Sequence, residues 1–173
     1  MTRIKKVGIV GIIVFILIGV FVLIFVKNYP YRKFEKEISK KFTNDETAYP
    51  ETYDSLCNVE YTNNISFPKI QPDYAIMHFD KFLKRNIRLT SKQLNKILVF
   101  LNDSSNYCWG ELGTPYFDRF ITFHNKNREC IGLTKIDFGG QTYSSPHLSL
   151  MKWGLINPSS NKMNDIIKEI EAN

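Results

Sequence analysis

The hydrophobic pattern opens with one long apolar run close to the amino terminus. Between Val7 and Val26 the sequence has no charged, polar or proline residue. A helix of these twenty residues would extend about 30 Å, which matches the hydrocarbon core of a bilayer. A cleavable signal peptide is the alternative, because the MTRIKK start is basic, but its apolar region would be only about 7 to 15 residues long. We predict a basic tail over residues 1–6 and an uncleaved transmembrane helix, a signal anchor, over residues 7–26.

The basic residues on either side of this run bear on its orientation. Three precede it, and six follow it between Lys27 and Lys41. Counted literally, the positive-inside rule would hold the C-terminal domain in the cytoplasm. A short basic tail before a first hydrophobic segment, however, acts as a signal anchor, and long domains translocate largely regardless of charge. We predict a single-pass membrane protein whose partner is the lipid bilayer and whose globular domain lies on the extracytoplasmic side.

The pattern changes to a helical period directly after the apolar run. Apolar residues recur at every fourth position from Phe34 to Phe42, with charges between them, which predicts a juxtamembrane amphipathic helix over residues 27–42. Residues 43–72 are polar and contain three prolines, so we interpret them as a linker or irregular segment. Residues 73–173 are long enough for one hydrophobic core and form the predicted globular domain.

The first helix of this domain has a complete start signal. Thr90 and Gln93 have the spacing of a capping box, and apolar residues follow at i, i+3, i+4 and i+7 from Leu94 to Leu101. The breaker run NDSSN follows. These features predict a helix that ends there and buries one apolar stripe.

A second helix is predicted near the carboxyl terminus. It starts at Ser159 or Ser160, after a proline, and has the same apolar spacing from Met163 to Ile170. The stretch 73–86 is ambiguous between helix and strand. The two helices must cover a common surface, because each has only one apolar face.

The surface that they cover is the predicted hairpin of residues 117–137. With a turn centred on Lys126 and Asn127, Phe123 lies opposite Cys130 and one face of the hairpin is clearly more apolar than the other. The predicted fold class is therefore α+β: an N-terminal transmembrane helix, then a small domain with an antiparallel sheet, made of the hairpin and an edge strand, covered by helices on one face.

The segment DFGGQTYSSPHL follows the hairpin and begins like the magnesium-binding motif of protein kinases. A kinase also needs a Gly-rich loop, a strand lysine and an H-R-D loop, and the sequence contains none of these. The pair Gly139-Gly140 predicts a bulge or a turn with positive φ, and an anion-binding nest is the alternative. Residues 141–145 continue as the edge strand until Pro146.

Charge and histidine spacing exclude two classes of function. Residues 1–41 contain nine Lys or Arg and two Glu, giving +7, whereas the other residues contain fourteen basic and fifteen acidic side chains, giving −1. A nucleic-acid binder needs its basic surplus on the recognition face, so no nucleic-acid partner is predicted. The histidines lack H-x-x-x-H or H-E-x-x-H spacing, so we predict no metal and no cofactor.

Three cysteines provide the main catalytic hypothesis. Cys57, Cys108 and Cys130 lack C-x-x-C spacing, so neither a zinc ribbon nor a thioredoxin-like site is indicated. Cys108 with His147 would be the nucleophilic pair of a small hydrolase, and Glu111 is the alternative catalytic acid. Structural thiols and a surface histidine are the simpler interpretation, and a Cys108–Cys130 disulfide is conceivable if the domain is exported.

Aromatic residues next to glycines provide the main binding hypothesis. Trp109 and Trp153 each precede a glycine, and Tyr116 and Tyr143 lie in neighbouring segments. Tryptophan and tyrosine combine a large contact area with one polar group, so these residues and Gln141 form the predicted binding surface. The alternative is that the tryptophans pack in the core of a small domain.

The order of these elements over residues 88–155 also carries a resemblance. A capped helix, the CWG loop, the strand FDRFITFHN, the segment GLTKIDFGGQTYSSP and the final MKWG together resemble small uncharacterised single-pass bacterial membrane proteins. The resemblance implies a bacterial source and supplies no activity or catalytic residue. We therefore expect a membrane-anchored, non-enzymatic interaction domain that binds another envelope protein. The alternative is a membrane-anchored hydrolase that uses Cys108 and His147 or Glu111.

Overall fold

The computed structural model describes residues 3–41, 50–80, 84–109 and 116–172. The chain divides into two compact units, residues 1–33 and residues 34–173. In chain order the helices and strands are α1 (Arg3–Lys41), α2 (Pro50–Thr62), β1 (Tyr74–Phe79), β2 (Ile87–Arg88), α3 (Ser91–Leu101), β3 (Tyr107–Cys108), β4 (Phe117–His124), β5 (Cys130–Asp137), β6 (Thr142–Ser145), β7 (Gly154–Leu155) and α4 (Asn157–Glu171). Short 3₁₀ turns lie at Ser104–Asn106 and Ser149–Met151.

The first unit consists of the greater part of α1. Every Ile, Leu, Val and Phe side chain from Ile12 to Leu23 is exposed. Among the helices of the described ranges, none combines the length and the apolar character that a membrane crossing requires. The predicted transmembrane helix is therefore not confirmed.

The second unit is built on a five-stranded antiparallel sheet with strand order β2-β1-β4-β5-β6. This sheet, with the helices around it, confirms the predicted α+β class. β1 lies in the stretch that was ambiguous between helix and strand, and it pairs with β4 along its whole length, from Tyr74 opposite His124 to Phe79 opposite Arg119. β6 lies at the sheet edge, where the sequence predicted an edge strand.

The hairpin β4–β5 forms where it was predicted, but its register was predicted wrongly. Phe123 lies opposite Gly132 instead of Cys130. The turn is longer than two residues, because the Asn125 N–H donates to the Glu129 carbonyl (3.1 Å), which leaves three residues between them, and the third, Arg128, has a φ of 64°. A shift of two residues leaves each side chain on the same side of the sheet, so the predicted assignment of side chains to the two faces is still correct.

The two predicted helices of the domain are present as α3 and α4. The capping box of α3 is complete, since the Gln93 N–H donates to Thr90 Oγ1 (3.3 Å) and the Thr90 N–H donates to Gln93 Oε1 (2.8 Å). α4 begins at Asn157, ahead of the predicted start at Ser159 or Ser160. Pro158 lies inside its first turn, where a missing N–H has no cost because those amides have no helical partner.

One side of the sheet, the α3/α4 face, carries the hydrophobic core. Buried side chains of the strands and of both helices form one cluster, and the fully buried members include Met77, Ile97, Ile121, Phe123 and Ile167. Phe123 also meets Phe67 edge to face, with ring centroids 5.3 Å apart. This is the packing that two amphipathic helices on one sheet face predict.

The opposite side of the sheet, the α1 face, is covered as well, so the prediction of helices on one face only was incomplete. Ile38 of α1 is fully buried, and Phe34 lies with its ring centroid 5.4 Å from that of His124. Glu35 of α1 forms an ion pair with Lys135 of β5. The apolar stripe of the juxtamembrane helix thus packs on the sheet. The last residue of the predicted stripe, Phe42, lies outside the described residues.

α2 lies in the segment that was predicted as a linker or irregular region. It begins at Pro50, a residue that fits the first turn of a helix, and its Glu60 carboxylate accepts a hydrogen bond from the Ser149 N–H (3.0 Å). Its polar composition concealed it, because a short helix on the surface of a domain needs few apolar residues. Residues 43–49 of the predicted linker lie outside the described residues.

Candidate functional site

A two-stranded antiparallel ribbon of β3 and β7 lies beside the main sheet. Tyr107 pairs with Leu155, and Cys108 pairs with Gly154. The Tyr107 hydroxyl donates to the Leu101 carbonyl (2.8 Å), and burial raises the pKa of this phenol far above its ordinary value. The ribbon is therefore fastened to the end of α3 by a buried hydrogen bond.

The ribbon brings the two predicted tryptophans together. Trp109 follows Cys108, and Trp153 precedes Gly154, so the antiparallel register sets the two indoles against each other. Their ring centroids are 5.1 Å apart and their planes lie at 86°, the edge-to-face arrangement that aromatic quadrupoles favour. Trp153 is 38% exposed and Trp109 is partly buried. We call this pair the tryptophan surface.

The backbone that leads into Trp153 is held in an uncommon conformation. Lys152 has a φ of 47°, which a residue with a Cβ rarely adopts. Its Nζ donates to the Tyr107 carbonyl (3.3 Å), and its own N–H donates to the Ser149 carbonyl (3.0 Å). A strained φ persists only where several contacts determine it. These contacts fix the position of Trp153 relative to the ribbon.

The side chain of Gln141, a predicted binding residue, makes hydrogen bonds within the domain. Its Nε2 donates to the Leu155 carbonyl (2.9 Å) and to Ser160 Oγ (2.7 Å), while its Oε1 accepts from the Leu155 N–H (3.1 Å). The side chain thus joins the start of β6 to β7 and α4. A binding role for Gln141 stays a prediction, whereas its structural role is visible.

The turn before Gln141 accounts for the segment that resembled a kinase motif. Asp137 ends β5, its side-chain oxygen accepts from the Gln141 N–H (2.8 Å), and its carbonyl accepts from the Gly140 N–H (3.1 Å). Gly140 has a φ of 89°, and a Cβ there would lie 2.2 Å from the Ser160 carbonyl oxygen. The predicted glycine turn is confirmed, and glycine is required by both its backbone angle and the approach of α4.

The remaining predicted binding residues lie in other contacts. Tyr143 of β6 is 44% exposed, and its ring stacks on that of His147 with centroids 6.0 Å apart. Tyr116 is exposed directly before β4. The structure therefore groups Trp109 with Trp153, and Tyr143 with His147.

The residues of the hydrolase hypothesis fall as follows. Cys108 is a partly buried thiol in the ribbon, and His147 lies after β6, stacked on Tyr143. Glu111 lies outside the described residues. All three cysteines are free thiols, so a Cys108–Cys130 disulfide is not formed. Cys130 is buried opposite His124, and its Sγ donates to the Gly132 carbonyl (3.4 Å).

A buried polar cluster that was not predicted from the sequence lies on the α1 face. His78 Nε2 and His124 Nε2 each lie 2.9 Å from Thr122 Oγ1, and the two histidines are only 7% and 3% exposed. The sequence contains part of the information. Side chains alternate between the two faces of a strand, so Thr122 and His124, two residues apart in β4, share a face. His78 joins them only through the pairing of β1 with β4, which a single sequence does not reveal.

Burial governs the protonation of this cluster. It lowers the pKa of His78 from 6.5 to about 4; a positive charge on His124, when that ring is protonated, acts in the same direction, and a hydrogen bond with Asn86 opposes the shift. Burial also lowers the pKa of His124, and the negative charge of Glu37 opposes this shift. Both rings are therefore held in their neutral form.

Comparison of the chain with protein-family models, with curated proteins and with solved structures finds no match. The functional assignment consequently depends on the geometry described above.

Proposed function

We propose that the protein is a single-pass membrane-anchored interaction module whose α+β domain binds another envelope protein through the tryptophan surface. The observation that carries this proposal is the edge-to-face pair of Trp109 and Trp153, held at the end of a fixed ribbon with Trp153 partly open to solvent. Tryptophan is enriched among the residues that dominate binding energy in protein interfaces.

The anchor is supported by the exposed apolar side chains of α1. Eleven large apolar residues between Ile12 and Leu23 are exposed, and water solvates such a surface unfavourably. Residues 11–23 extend about 20 Å as a helix, and the apolar run continues in the sequence to Val7 on one side and Val26 on the other. A bilayer is the environment that suits this surface, and the basic tail favours an extracytoplasmic domain.

The class of partner follows from charge and from the type of exposed side chain. Residues 42–173 carry a net charge of −1, being fourteen basic against fifteen acidic side chains, so long-range attraction to a polyanion is not available. A rigid aromatic pair instead suits the apolar centre of a protein–protein interface, where Trp and Tyr add contact area at a small cost in conformational entropy. An anchored domain meets partners in or near the same membrane.

The test is affinity capture of the tagged full-length chain from detergent-solubilised membranes. Replacing both Trp109 and Trp153 by Ala should reduce recovery of a specific partner by about tenfold or more, since residues at the centre of an interface each contribute at least about 2 kcal/mol. The matched control is Phe138→Ala, which removes an aromatic side chain that is 76% exposed at a different turn. Its recovery should equal that of the unmodified chain.

Two results would overturn the proposal. Equal recovery from the double-alanine variant and the unmodified chain would remove the tryptophan surface from the interface, and an equal loss in Phe138→Ala would show that any exposed aromatic side chain suffices. Thermal unfolding of each variant separates lost binding from lost folding. Labelling a cysteine placed at Lys126, an exposed turn position, with a membrane-impermeant maleimide in intact cells reports the side on which the domain lies.

A further inference from the structure

The contact between α1 and the sheet has an unusual composition for a buried helix contact. Phe34 rests on both histidine rings, with centroids 5.4 Å from His124 and 6.3 Å from His78. Beneath it, Thr122 is fully buried between the two imidazoles. Two side chains that titrate in weakly acidic conditions when they are solvated therefore lie directly under α1.

The hydrogen bonds of the Thr122 hydroxyl can all be made with neutral rings, whereas the buried His124 Nδ1 has no hydrogen-bond partner among the described residues. A threonine hydroxyl has one proton to donate and can accept two hydrogen bonds. Thr122 Oγ1 lies 2.9 Å from each Nε2 and 3.4 Å from the Ile76 carbonyl, so it can serve all three contacts when neither ring is charged. Two protonated rings could still donate to Thr122, but two positive charges would then share one buried site, which is strongly unfavourable.

The charged groups that face the cluster from neighbouring elements offset only part of the cost of burying two protonated histidine rings. From α1, Glu37 attracts a proton to His124, whereas Glu35 is paired with Lys135 of β5. From β2, Arg88 lies over the ring of Tyr74, with its guanidinium carbon 4.4 Å from the centroid, and that ring stacks on His124.

The other contacts are uncharged or aromatic. Asn86 hydrogen-bonds His78, and the Cys130 thiol lies opposite His124. Phe120 stacks on His78 with centroids 4.6 Å apart. Aromatic faces favour a cation modestly, but burial is the largest influence on both rings.

We propose that the packing of α1 residues 34–41 on the sheet is an acid-sensitive joint, in which protonation of His78 and His124 releases the helix while the α3/α4 face stays folded. Release lets water reach both rings and hydrate the two charges. The inference concerns contacts within residues 34–173 and does not depend on the membrane anchor or on the tryptophan surface.

The test is amide hydrogen exchange of the full-length chain in detergent micelles between pH 7.5 and 5, corrected for the intrinsic pH dependence of exchange. A His78 ring that titrates at a pKa of about 4 when docked and 6.5 when solvated favours release about 30-fold more at pH 5 than at pH 7.5. Exchange of residues 34–41 should therefore accelerate by roughly that factor. Exchange in α3 and in β4 should remain slower than in residues 34–41 at every pH, because these elements open only when the whole domain unfolds.

The variants use the three histidines of the chain. Replacing His78 and His124 by Gln retains an amide that can reach Thr122 but removes the titration, so the acceleration should disappear. His147→Gln, which alters the histidine that stacks on Tyr143, should leave it intact. Single Gln variants at His78 and at His124 serve if the double variant fails to fold, and each should show a reduced acceleration.

Acceleration of equal size in the double Gln variant would overturn the proposal, because the proton would then act elsewhere. The proposal would also be overturned if the corrected exchange rate of residues 34–41 in the unmodified chain were the same at pH 5 as at pH 7.5. Equal opening free energies for residues 34–41, α3 and β4 at pH 5 would also overturn it, since that result describes unfolding of the whole domain and not release of a joint.

Discussion

Adjacent residues of the same strands lead to two very different surfaces. On β1 and β4, Met77 and Phe123 point to the α3/α4 face and are fully buried among apolar side chains. Their immediate neighbours, His78 and His124, point to the α1 face and surround a buried threonine hydroxyl. One face is stabilised by apolar burial and is indifferent to pH, whereas the other depends on polar groups being correctly protonated.

This difference assigns separate roles to the two faces. Apolar packing has no directional requirement and defines the stable body of the domain. A buried polar contact is favourable only while every partner is satisfied, so it responds to conditions that leave an apolar core unchanged. Residues 34–41 of α1 pack on the α1 face, which is the face that depends on protonation.

The largest effect is expected from the apolar face. Phe123→Ala removes a fully buried ring that meets Phe67 edge to face and should lower the free energy of unfolding by about 3–5 kcal/mol. Urea unfolding should give the same loss at pH 7.5 and at pH 5. The control Val99→Ala, at an exposed position of α3, should change stability by less than about 0.5 kcal/mol. A loss that depends strongly on pH would show that the two faces are not independent.

The α1 face should give a smaller effect that appears only in acid. The pKa of His78 is lowered from 6.5 to about 4, so between these values the unfolded chain binds more protons than the folded one. The free energy of unfolding is therefore highest above about pH 6.5, falls as the pH drops towards 4, and loses about 3 kcal/mol in total from this residue. Below the folded pKa this residue contributes no further change.

Urea unfolding over a pH series measures this slope. Carboxylates also titrate near pH 4, so the quantity to compare is the difference between the unmodified chain and His78→Gln. That difference should grow steadily between pH 6.5 and 4, because the variant lacks the acid penalty. Parallel curves for the two proteins would contradict the assignment of the slope to His78.

Features with a local cause were predicted well from the sequence. The capping box of Thr90 and Gln93 and the glycine turn at Gly140 both depend on residues within a few positions of each other. The predicted register of β4–β5 was wrong because of the conformation of one turn residue. Arg128 adopts a positive φ without being glycine, and its residue type gives no signal of that conformation.

Contacts between distant segments could be predicted only in part. The clustering of Trp109 and Trp153 was visible as composition, but the ribbon that joins them consists of two strands of two residues each, which are too short to show a period. Gln141 was predicted to be a binding residue on the surface. Its partners Leu155 and Ser160 are remote in sequence, so the sequence does not reveal its hydrogen bonds within the fold. Likewise, the stripe from Phe34 to Ile38 was recognised as amphipathic, but the sequence does not say what it covers.

The smallest effect concerns the rim of the α1 face, where Glu35 pairs with Lys135. Lys135 is mostly buried, and its Nζ lies 5.7 Å from the ring centroids of both Phe117 and Tyr143. Glu35→Gln leaves this cation with weaker partners, so the free energy of unfolding should fall by about 1 kcal/mol, more than for a solvent-exposed pair. Because Glu35 is itself partly exposed, added salt should reduce the difference between the two proteins.

The matched control for this pair lies on the opposite side of the sheet. Asp165 and Lys168 are neighbours on the exposed surface of α4, 3.3 Å apart, and Asp165→Asn should have almost no effect because water screens both charges. Urea unfolding in low and high salt measures both variants. Equal effects of Glu35→Gln and Asp165→Asn would mean that the α1 contact excludes little water around Lys135. The contrast between the two faces would then depend on the histidines alone.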